Sequence, residues 1–259
     1  MYATAVLGAD AERAASRLVE AVEGRAGIVR VEDAETDGGV ALARGSTEYT
    51  LENGWRASGD GLSVGNALDR LAPDHEYAFV LGAAETRLPK VVVGDESTDA
   101  LATATDAEEL DVAAAIESIR GTERYETLES LVAAVKRTDD AEYAGAIATF
   151  TGRVRAREDA EDERTRYLEF EKYEGVAEQR MNAIETELEE RDGVLDVRLH
   201  HRTGRIADGE DIVFVVVLAG HREEAFRTVR DGINRLKDEV PLFKKEVTDE
   251  DTFWVHETQ

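Results

Sequence analysis

Cysteine is absent from this 259-residue chain, which excludes disulfide bonds, thiolate metal ligands and cysteine nucleophiles. Long apolar runs are also absent: no segment approaches the ~20 residues that a membrane-spanning helix requires. The first residues, MYATAVLGADAER, lack the basic and apolar regions of a signal peptide. These absences predict a cytoplasmic protein.

Basic residues are outnumbered by acidic ones. The chain carries 57 acidic and 31 basic residues, with a formal net charge of -26. A nucleic-acid partner is disfavoured, because phosphate backbones require a basic surface. Acidic residues are spread along the chain and arginine greatly outnumbers lysine. This composition is typical of halophilic proteins, in which salt screens the self-repulsion of the surface.

Lysine is the rarest of the charged residues: the chain has six, and three of them lie within residues 221–246 (HREEAFRTVRDGINRLKDEVPLFKKE). Apolar residues recur there at three- and four-residue steps, which predicts one amphipathic helix over residues 221–240. Pro241 ends this helix, because proline disfavours helical geometry in the residue before it. The lysines allow two interpretations: they act on an anionic substrate, or they neutralise the C-terminus of a helix.

The N-terminal part alternates strands and helices, which predicts a small α/β domain over residues 1–110 that ends in an acidic linker at 95–110. A strand at 2–8, Gly8 and a helix at 9–22 have the layout of a phosphate-binding loop. The loop is degenerate, because it lacks the Gly-Lys-Ser/Thr sequence and carries Asp10 where phosphate would bind. An ordinary strand-to-helix turn is the favoured interpretation. With the stretch AFVLGAAETRLPKVVVGD, this part resembles the MobB-type GTP-binding accessory protein of molybdopterin guanine dinucleotide synthesis, without its nucleotide motif.

Residues 111–259 predict a second domain of the α+β class, built around a mostly antiparallel sheet. Residues 212–218 (IVFVVVL) are continuously apolar and predict its central, fully buried strand. The other predicted elements are helices at 111–119, 122–135, 175–191 and 221–240, and strands at 144–151, 167–170, 194–200, 243–247 and 253–255.

Two groups of basic residues are candidate anion sites. Arg153, Arg155 and Arg157 occupy alternate positions after a strand, so an extended chain aims all three to one side; the alternative is a solvated loop neutralised by neighbouring acids. His221 and Arg222 follow the central strand and begin a helix, where unpaired N–H groups attract anions; the alternative is a cap with a solvent-exposed ion pair. The five histidines have no metal-ligand spacing, so no metal site is expected.

Five blocks in order resemble one family. They are FTGRVR (150–155), LEFEKYEGVAE (168–178), HRTGRIADGEDIVFVVV (201–217), HREEAF (221–226) and LKDEVPLFKKE (236–246). Together they resemble the MoaE family, the large catalytic subunit of molybdopterin synthase, from about residue 122 to the C-terminus. With the N-terminal part, the chain resembles a haloarchaeal-type fusion of two families.

The resemblance implies an α/β-hammerhead-type fold and a sulfurtransferase without a cofactor of its own. The reaction it implies converts cyclic pyranopterin monophosphate into the molybdopterin dithiolene. The sulfur comes from the thiocarboxylated C-terminus of a small ubiquitin-like subunit that ends in Gly-Gly. A homodimer within a heterotetramer is the implied assembly, and neither nucleic acid nor membrane is an expected partner. The alternative function is a scaffold that docks ubiquitin-like proteins or later molybdenum-cofactor enzymes.

The resemblance also assigns roles to residues. Lys237 and Lys244 are the implied catalytic residues, and the implied substrate-binding residues are Arg153, Arg155, His221, Arg222, Lys245 and Glu246. Lys172 departs from the family, because many relatives have histidine at that position. An unbroken helix separates His221 from Lys237 by roughly 24 Å. We therefore expect a two-fold dimer in which His221 and Arg222 of one chain face Lys237 and Lys244 of the other.

Overall fold

The computed structural model describes residues 1–31, 47–51, 53–59, 61–94, 99–173, 175–248 and 252–255. The sequence also predicts short strands joined by glycine turns at 38–55, and part of that segment lies outside these ranges, as does His256. The chain forms two compact units, Met1–Glu126 and Thr127–Gln259. No helix in the described ranges is long and apolar enough to cross a membrane.

The first unit alternates strands and helices. In chain order its elements are β1 (Tyr2–Leu7), α1 (Ala11–Ala21), β2 (Ala26–Arg30), β3 (Thr47–Leu51), β4 (Trp55–Gly59), α2 (Val64–Leu71), β5 (Tyr77–Leu81), β6 (Lys90–Val93), β7 (Ala102–Ala104) and α3 (Val112–Arg120). Five of the strands form a parallel sheet of order β2-β5-β1-β6-β7, which confirms the predicted α/β domain. Strands β3 and β4 form a separate hairpin.

Gly8, at the turn between β1 and α1, has a structural role. Its φ is +105°, and a Cβ atom there would lie 1.8 Å from the carbonyl oxygen of Val93, so only glycine lets β6 approach this closely. The Asp10 carboxylate accepts a hydrogen bond of 2.9 Å from the Ala107 N–H. The turn therefore packs against other residues of the same unit, which agrees with the interpretation of an ordinary strand-to-helix turn.

The first unit continues to Glu126, past the predicted boundary at residue 110, and residues 99–110 are part of its fold, whereas the sequence predicted a linker there. Strand β7 pairs with β6, and Ala107 and Leu110 are buried in the core beneath α1. Helix α3 continues this core through Ala115, Ile116 and Ile119. The few apolar residues of this acidic segment are therefore enough to pack it onto the core. The first unit ends only after α3, at Glu126.

The helices and strands of the second unit, in chain order, are α4 (Leu128–Val135), a 3-10 helix (Asp139–Tyr143), β8 (Ala146–Arg153), β9 (Thr165–Lys172), α5 (Val176–Glu189), β10 (Val194–His201), β11 (Gly204–Ala207), β12 (Asp211–Ala219), α6 (Arg222–Glu239), β13 (Leu242–Thr248) and β14 (Thr252–Val255). The strands form two antiparallel sheets, β10-β12-β8 and β11-β9-β13-β14, which confirms the predicted mostly antiparallel α+β arrangement.

Helix α4 begins six residues after the predicted start at 122. The Ser130 N–H donates to the Thr127 hydroxyl over 3.0 Å, and the Thr127 N–H donates to the Ser130 hydroxyl over 2.9 Å. This reciprocal capping box fixes the N-terminus at Leu128.

Strand β12 is the central strand of its sheet, as predicted, and both of its faces are covered. Val213, Val215 and Val217 pack with α5 and α6, whereas the alternate residues Phe214, Val216 and Leu218 pack with α4. Burial on both faces explains why the strand is continuously apolar. Helix α6 runs unbroken for 18 residues, as predicted. Its Gly232 does not interrupt it but lets it approach the sheet: a Cβ there would lie 3.2 Å from Val215 Cγ1.

The β10 edge of the three-stranded sheet is closed by two carboxylates of α5. Glu185 accepts a hydrogen bond of 2.6 Å from the Leu199 N–H, and Glu189 accepts one of 2.9 Å from the Val197 N–H. Burial raises the pKa of Glu185 from its ordinary value to about 7, against the lowering effects of the Leu199 N–H and of Arg198. A helix face therefore satisfies backbone donors that would otherwise face solvent.

Candidate active site

A cavity of about 860 Å³ lies in the second unit, where the C-terminal half of α6, the strand β13 and the end of β8 meet. Apolar residues form much of its wall, among them Phe150, Leu168, Phe170, Ile233 and Leu236. Five basic side chains also line it: Arg153, Arg155, Arg157, Lys237 and Lys244. Basic groups over an apolar surface suit an organic anion.

Lys237 and Lys244 reach this cavity from consecutive elements. Lys237 lies in the last turn of α6, and the helix ends at Val240, which is extended and precedes Pro241. The chain then enters β13, which pairs with β9 and carries Lys244 opposite Phe170. Two of the six lysines in the chain therefore line one cavity.

Glu246 lies two residues beyond Lys244 and also lines the cavity, where its carboxylate accepts a hydrogen bond from the Thr165 hydroxyl. Lys245, between them, points to the other face of the strand. Its Nζ is 3.3 Å from Glu169 Oε2 and 5.9 Å from the centre of the Trp254 ring. The structure therefore brings Glu246 to the cavity and leaves Lys245 off its wall.

Arg153 and Arg155 both line the cavity, together with Arg157, although β8 ends at Arg153. Val154 between the first two is buried, with its N–H 2.9 Å from the Glu210 carbonyl oxygen, so the chain stays ordered past the strand. Arg153 Nε lies 3.2 Å from Asp211 Oδ1, and Arg155 lies 3.2 Å from Glu158 Oε1. The three arginines therefore point to the same cavity, as one interpretation predicts. Nearby carboxylates also neutralise two of them, as the other interpretation predicts.

His221 and Arg222 lie at the opposite end of α6 from Lys237, and both are exposed. His221 occupies the N-cap with extended backbone angles and makes no side-chain capping hydrogen bond. Sixteen helical rises separate it from Lys237, roughly 24 Å. Neither residue lines the cavity, so within one chain the predicted site is divided into two parts.

Lys172 also lies off the wall of the cavity. Its Nζ is 3.4 Å from Glu178 Oε1, and its backbone is opposite Leu242 of β13.

Sequence reasoning did not assign His201 to the site. This residue is 6% exposed, lines the cavity and meets the Phe170 ring edge-on, with 4.8 Å between ring centres. Its Nδ1 lies 2.8 Å from the Arg202 carbonyl oxygen. His200 stacks on Phe214 on the other face of the strand, so the two histidines point apart. The alternation of apolar residues along β10 is the signal that assigns His201 to the core.

Phe243 and Trp254 form an aromatic rim at the cavity, and they are 44% and 51% exposed. Tyr173 extends this rim, with its ring centre 5.4 Å from that of Phe243 in an edge-on contact. In the ranges that the structure describes, His, Asp and Glu side chains form no group of three that could hold a metal ion.

The fold and the cavity define the class of protein: an α+β domain with one cavity lined by five basic side chains and by the carboxylates of Glu158, Asp162, Glu163 and Glu246. The MoaE protein family matches residues 122–239. A probable molybdopterin synthase of Haloferax volcanii is 48% identical over 263 residues, which cover 99% of this chain and 100% of that protein. The molybdopterin synthase catalytic subunit of Halalkalibacterium halodurans is 37% identical over 113 residues, which cover 44% of this chain and 71% of that protein.

Among solved structures, molybdopterin synthase from Staphylococcus aureus is 34% identical, with a TM-score of 0.42, and covers 44% of this chain and 82% of that chain. The family match and the Haloferax relative show that the chain belongs to the MoaE family of molybdopterin synthase catalytic subunits, as its five blocks predict. It is a transferase of molybdopterin biosynthesis. The Haloferax relative aligns with both units, whereas the family match lies almost wholly in the second.

Proposed function

We propose that the second unit transfers sulfur from the thiocarboxylated C-terminus of a small ubiquitin-like subunit to cyclic pyranopterin monophosphate, which forms the molybdopterin dithiolene. One observation carries this proposal: Lys237 and Lys244 line the same cavity as Arg153 and Arg155. The sequence resemblance assigns catalysis to the first pair and substrate binding to the second.

The cavity suits a phosphorylated pterin in both charge and surface. Guanidinium groups bind phosphate oxygens in a fixed fork geometry, which is the role of Arg153 and Arg155. Phe150 and Phe170 offer apolar surface to the fused rings. Glu246, held by Thr165, limits the excess of positive charge beside Lys244.

The lysines supply the chemistry of the transfer. Attack by a thiocarboxylate sulfur on the pterin side chain develops negative charge and requires a proton for the departing oxygen. An ammonium group on a flexible stem serves both needs, whereas a guanidinium group does not give up its proton at neutral pH. A tail that ends in Gly-Gly carries no side chain at its last two residues, so it can enter past the Phe243 and Trp254 rim.

A scaffold function is the less favoured alternative. Docking a ubiquitin-like protein requires a surface outside the cavity, such as the aromatic rim, but it does not require Lys237 and Lys244 inside the cavity. The two functions differ in their need for these amino groups, so lysine variants separate them.

The test is the loss of sulfur transfer in the Lys237→Ala and Lys244→Ala variants. Each is expected to abolish dithiolene formation from the cyclic precursor and the thiocarboxylated donor, and to retain donor binding. Lys136→Ala is the matched control, because Lys136 is an exposed lysine of the same unit outside the cavity. Normal turnover by either cavity variant would refute the assignment.

We also infer that the site is completed across a homodimer, so that the partner's His221 and the partner's Arg222 join Lys237 and Lys244. A protein carrying His221→Ala and Arg222→Ala and a protein carrying Lys237→Ala are each expected to be inactive. Mixing them is expected to restore part of the activity, because some mixed dimers contain one intact site. If subunits exchange and activity stays at zero, the shared site is excluded.

A further inference from the structure

The cavity wall of the second unit carries charges of both signs, and most of its carboxylates come from one segment. Residues 154–164 (VRAREDAEDER) connect β8 to β9 and contain five acidic residues. We call this segment the acidic loop. Three of the four acidic side chains that line the cavity belong to it: Glu158, Asp162 and Glu163. The acidic loop therefore places negative charge beside the arginines to which the proposed function assigns phosphate.

Hydrogen bonds hold the acidic loop beside the cavity. At its base, the Thr165 N–H donates to the Ala156 carbonyl oxygen over 2.9 Å. At its tip, the Asp159 N–H donates to Asp162 Oδ2 over 2.9 Å. The chain is therefore held on both sides of Glu158, so the position of this carboxylate at the cavity wall follows from the structure of the loop.

The carboxylates of Glu158 and Glu163 have different partners. Glu163 Oε2 accepts a hydrogen bond of 2.9 Å from the Thr248 hydroxyl of β13, which is a neutral donor. Glu158 Oε1 lies 3.2 Å from Nη1 of Arg155, with which it forms an ion pair. A carboxylate of the chain itself therefore contacts one of the two arginines that suit a phosphate group.

The other arginine also has a carboxylate partner, but that partner is fixed in the sheet. Arg153 Nε lies 3.2 Å from Asp211 Oδ1, and the two residues face each other in the register of β8 and β12. Arg155 and Glu158 lie beyond the end of β8, and their side chains are 68% and 81% exposed. Ion pairs this exposed contribute little to stability, because water and salt screen them. Glu158 can therefore leave Arg155 at small cost.

We propose that Glu158 is an internal ligand of the phosphate site: it contacts Arg155 when no other anion is bound, leaves when a phosphate group binds and returns when the product departs. The identity of that phosphate group, as part of the pterin substrate, rests on the proposed function. A phosphate group presents two oxygen atoms to the fork of a guanidinium group, and such bidentate contacts are stronger than single ones. The phosphate therefore displaces the carboxylate.

This exchange makes phosphate binding less sensitive to salt. An ion pair that forms from free partners weakens as the salt concentration rises, because salt screens exposed charges. When one ion pair breaks as another forms, the screening of the first offsets the screening of the second. Such compensation suits a chain of net charge -26, whose composition is typical of halophilic proteins.

Equilibrium binding of inorganic phosphate to the full chain tests the exchange. Glu158→Gln removes the competing charge and keeps the size of the side chain. It is expected to lower the dissociation constant of phosphate about threefold to fivefold at the lowest KCl concentration at which circular dichroism shows the wild-type fold. The matched control is Glu161→Gln, which removes an exposed acid of the same loop that does not line the cavity and is expected to change this constant little.

Two further readouts separate exchange at Arg155 from a general effect of charge. In an Arg155→Gln background, Glu158→Gln is expected to leave the dissociation constant of phosphate unchanged, because it acts through that arginine. With rising KCl, the dissociation constant of Glu158→Gln is expected to increase more steeply than that of wild type. The two are expected to become equal at about 1 M, where the Debye length is about 3 Å. A substitution that affected only the stability of the loop would produce neither result.

The outcomes separate this inference from the proposed function. Equal affinity and equal salt dependence in wild type and Glu158→Gln overturn the exchange whatever the activity, and so does an effect of Glu158→Gln that persists without Arg155. Absence of phosphate binding by Glu158→Gln overturns it as well, because an arginine relieved of its carboxylate would then hold no phosphate. Tighter binding that depends on Arg155, in a protein that transfers no sulfur, supports the exchange and overturns the proposed function.

Discussion

Glu185 makes the stability of the second unit depend on pH, and Glu185→Gln removes that dependence. Burial raises the pKa of this carboxyl to about 7 in the folded chain, whereas its ordinary value is 4.5. The folded state therefore favours the neutral acid. The stability that protonation provides is fully present below the ordinary pKa and is lost as the pH rises through about 7.

The difference between the ordinary pKa of 4.5 and the pKa of about 7 in the folded chain corresponds to about 3 kcal/mol of unfolding free energy. About 2 kcal/mol of this loss falls between pH ~5.5 and pH ~8.5, a range that stays above the isoelectric point of about 4.5. A glutamine side chain does not titrate, and its amide oxygen can still accept the Leu199 N–H. The Glu185→Gln variant is therefore expected to gain about 2 kcal/mol relative to wild type as the pH rises across this range.

Urea unfolding at constant high salt, measured at several pH values, tests this prediction. The matched control is Glu190→Gln, which removes an exposed carboxylate from the end of the same helix. This control accounts for the loss of one negative charge from the helix. A Glu185→Gln difference that does not change with pH would refute the reasoning that burial determines the titration of Glu185.

Three further predictions concern the first unit. Gly8→Ala is expected to lower the unfolding free energy by about 3 kcal/mol or more, because its Cβ would meet the Val93 carbonyl at positive φ; the control Gly54→Ala, with no atom within 4 Å, is expected to be nearly neutral in thermal unfolding. The first unit is expected not to bind GTP tightly, since its turn lacks the lysine and hydroxyl; magnesium-dependent micromolar binding in calorimetry would contradict this. Deletion of residues 1–126 is expected to leave sulfur transfer measurable, and complete loss in a folded truncation would show that the units depend on each other.

Periodicity predicted the elements of the second unit that bury a regular apolar face. Helix α6 and strand β12 are long and periodic or continuously apolar, so their type and extent follow from the sequence. The four-residue β11 and three-residue β7 were not predicted, because they are too short to show a period. The segment 95–110 was interpreted as a linker because its few apolar residues are diluted by acid, although Ala107 and Leu110 are buried.

The candidate site could be predicted only in part. The scarcity of lysine drew attention to residues 237–245, and the family blocks assigned roles to them. Spacing alone cannot bring Lys244 to the cavity of Lys237, since that depends on β13 pairing with β9. Sequence spacing also cannot assign Lys244 and Lys245 to opposite faces until residues 242–248 are known to form the strand β13. His201 was missed because its place at the cavity comes from tertiary packing against Phe170.

The most direct test of the central claim follows the sulfur atom itself. A donor subunit carrying labelled sulfur in its C-terminal thiocarboxylate is mixed with cyclic pyranopterin monophosphate and this protein, and the label is followed during one turnover. The account predicts that wild type moves the label to the pterin, whereas Lys237→Ala binds the donor and leaves the label on it. Label that remains on the donor with wild type, or that moves equally well with Lys237→Ala, would contradict the account.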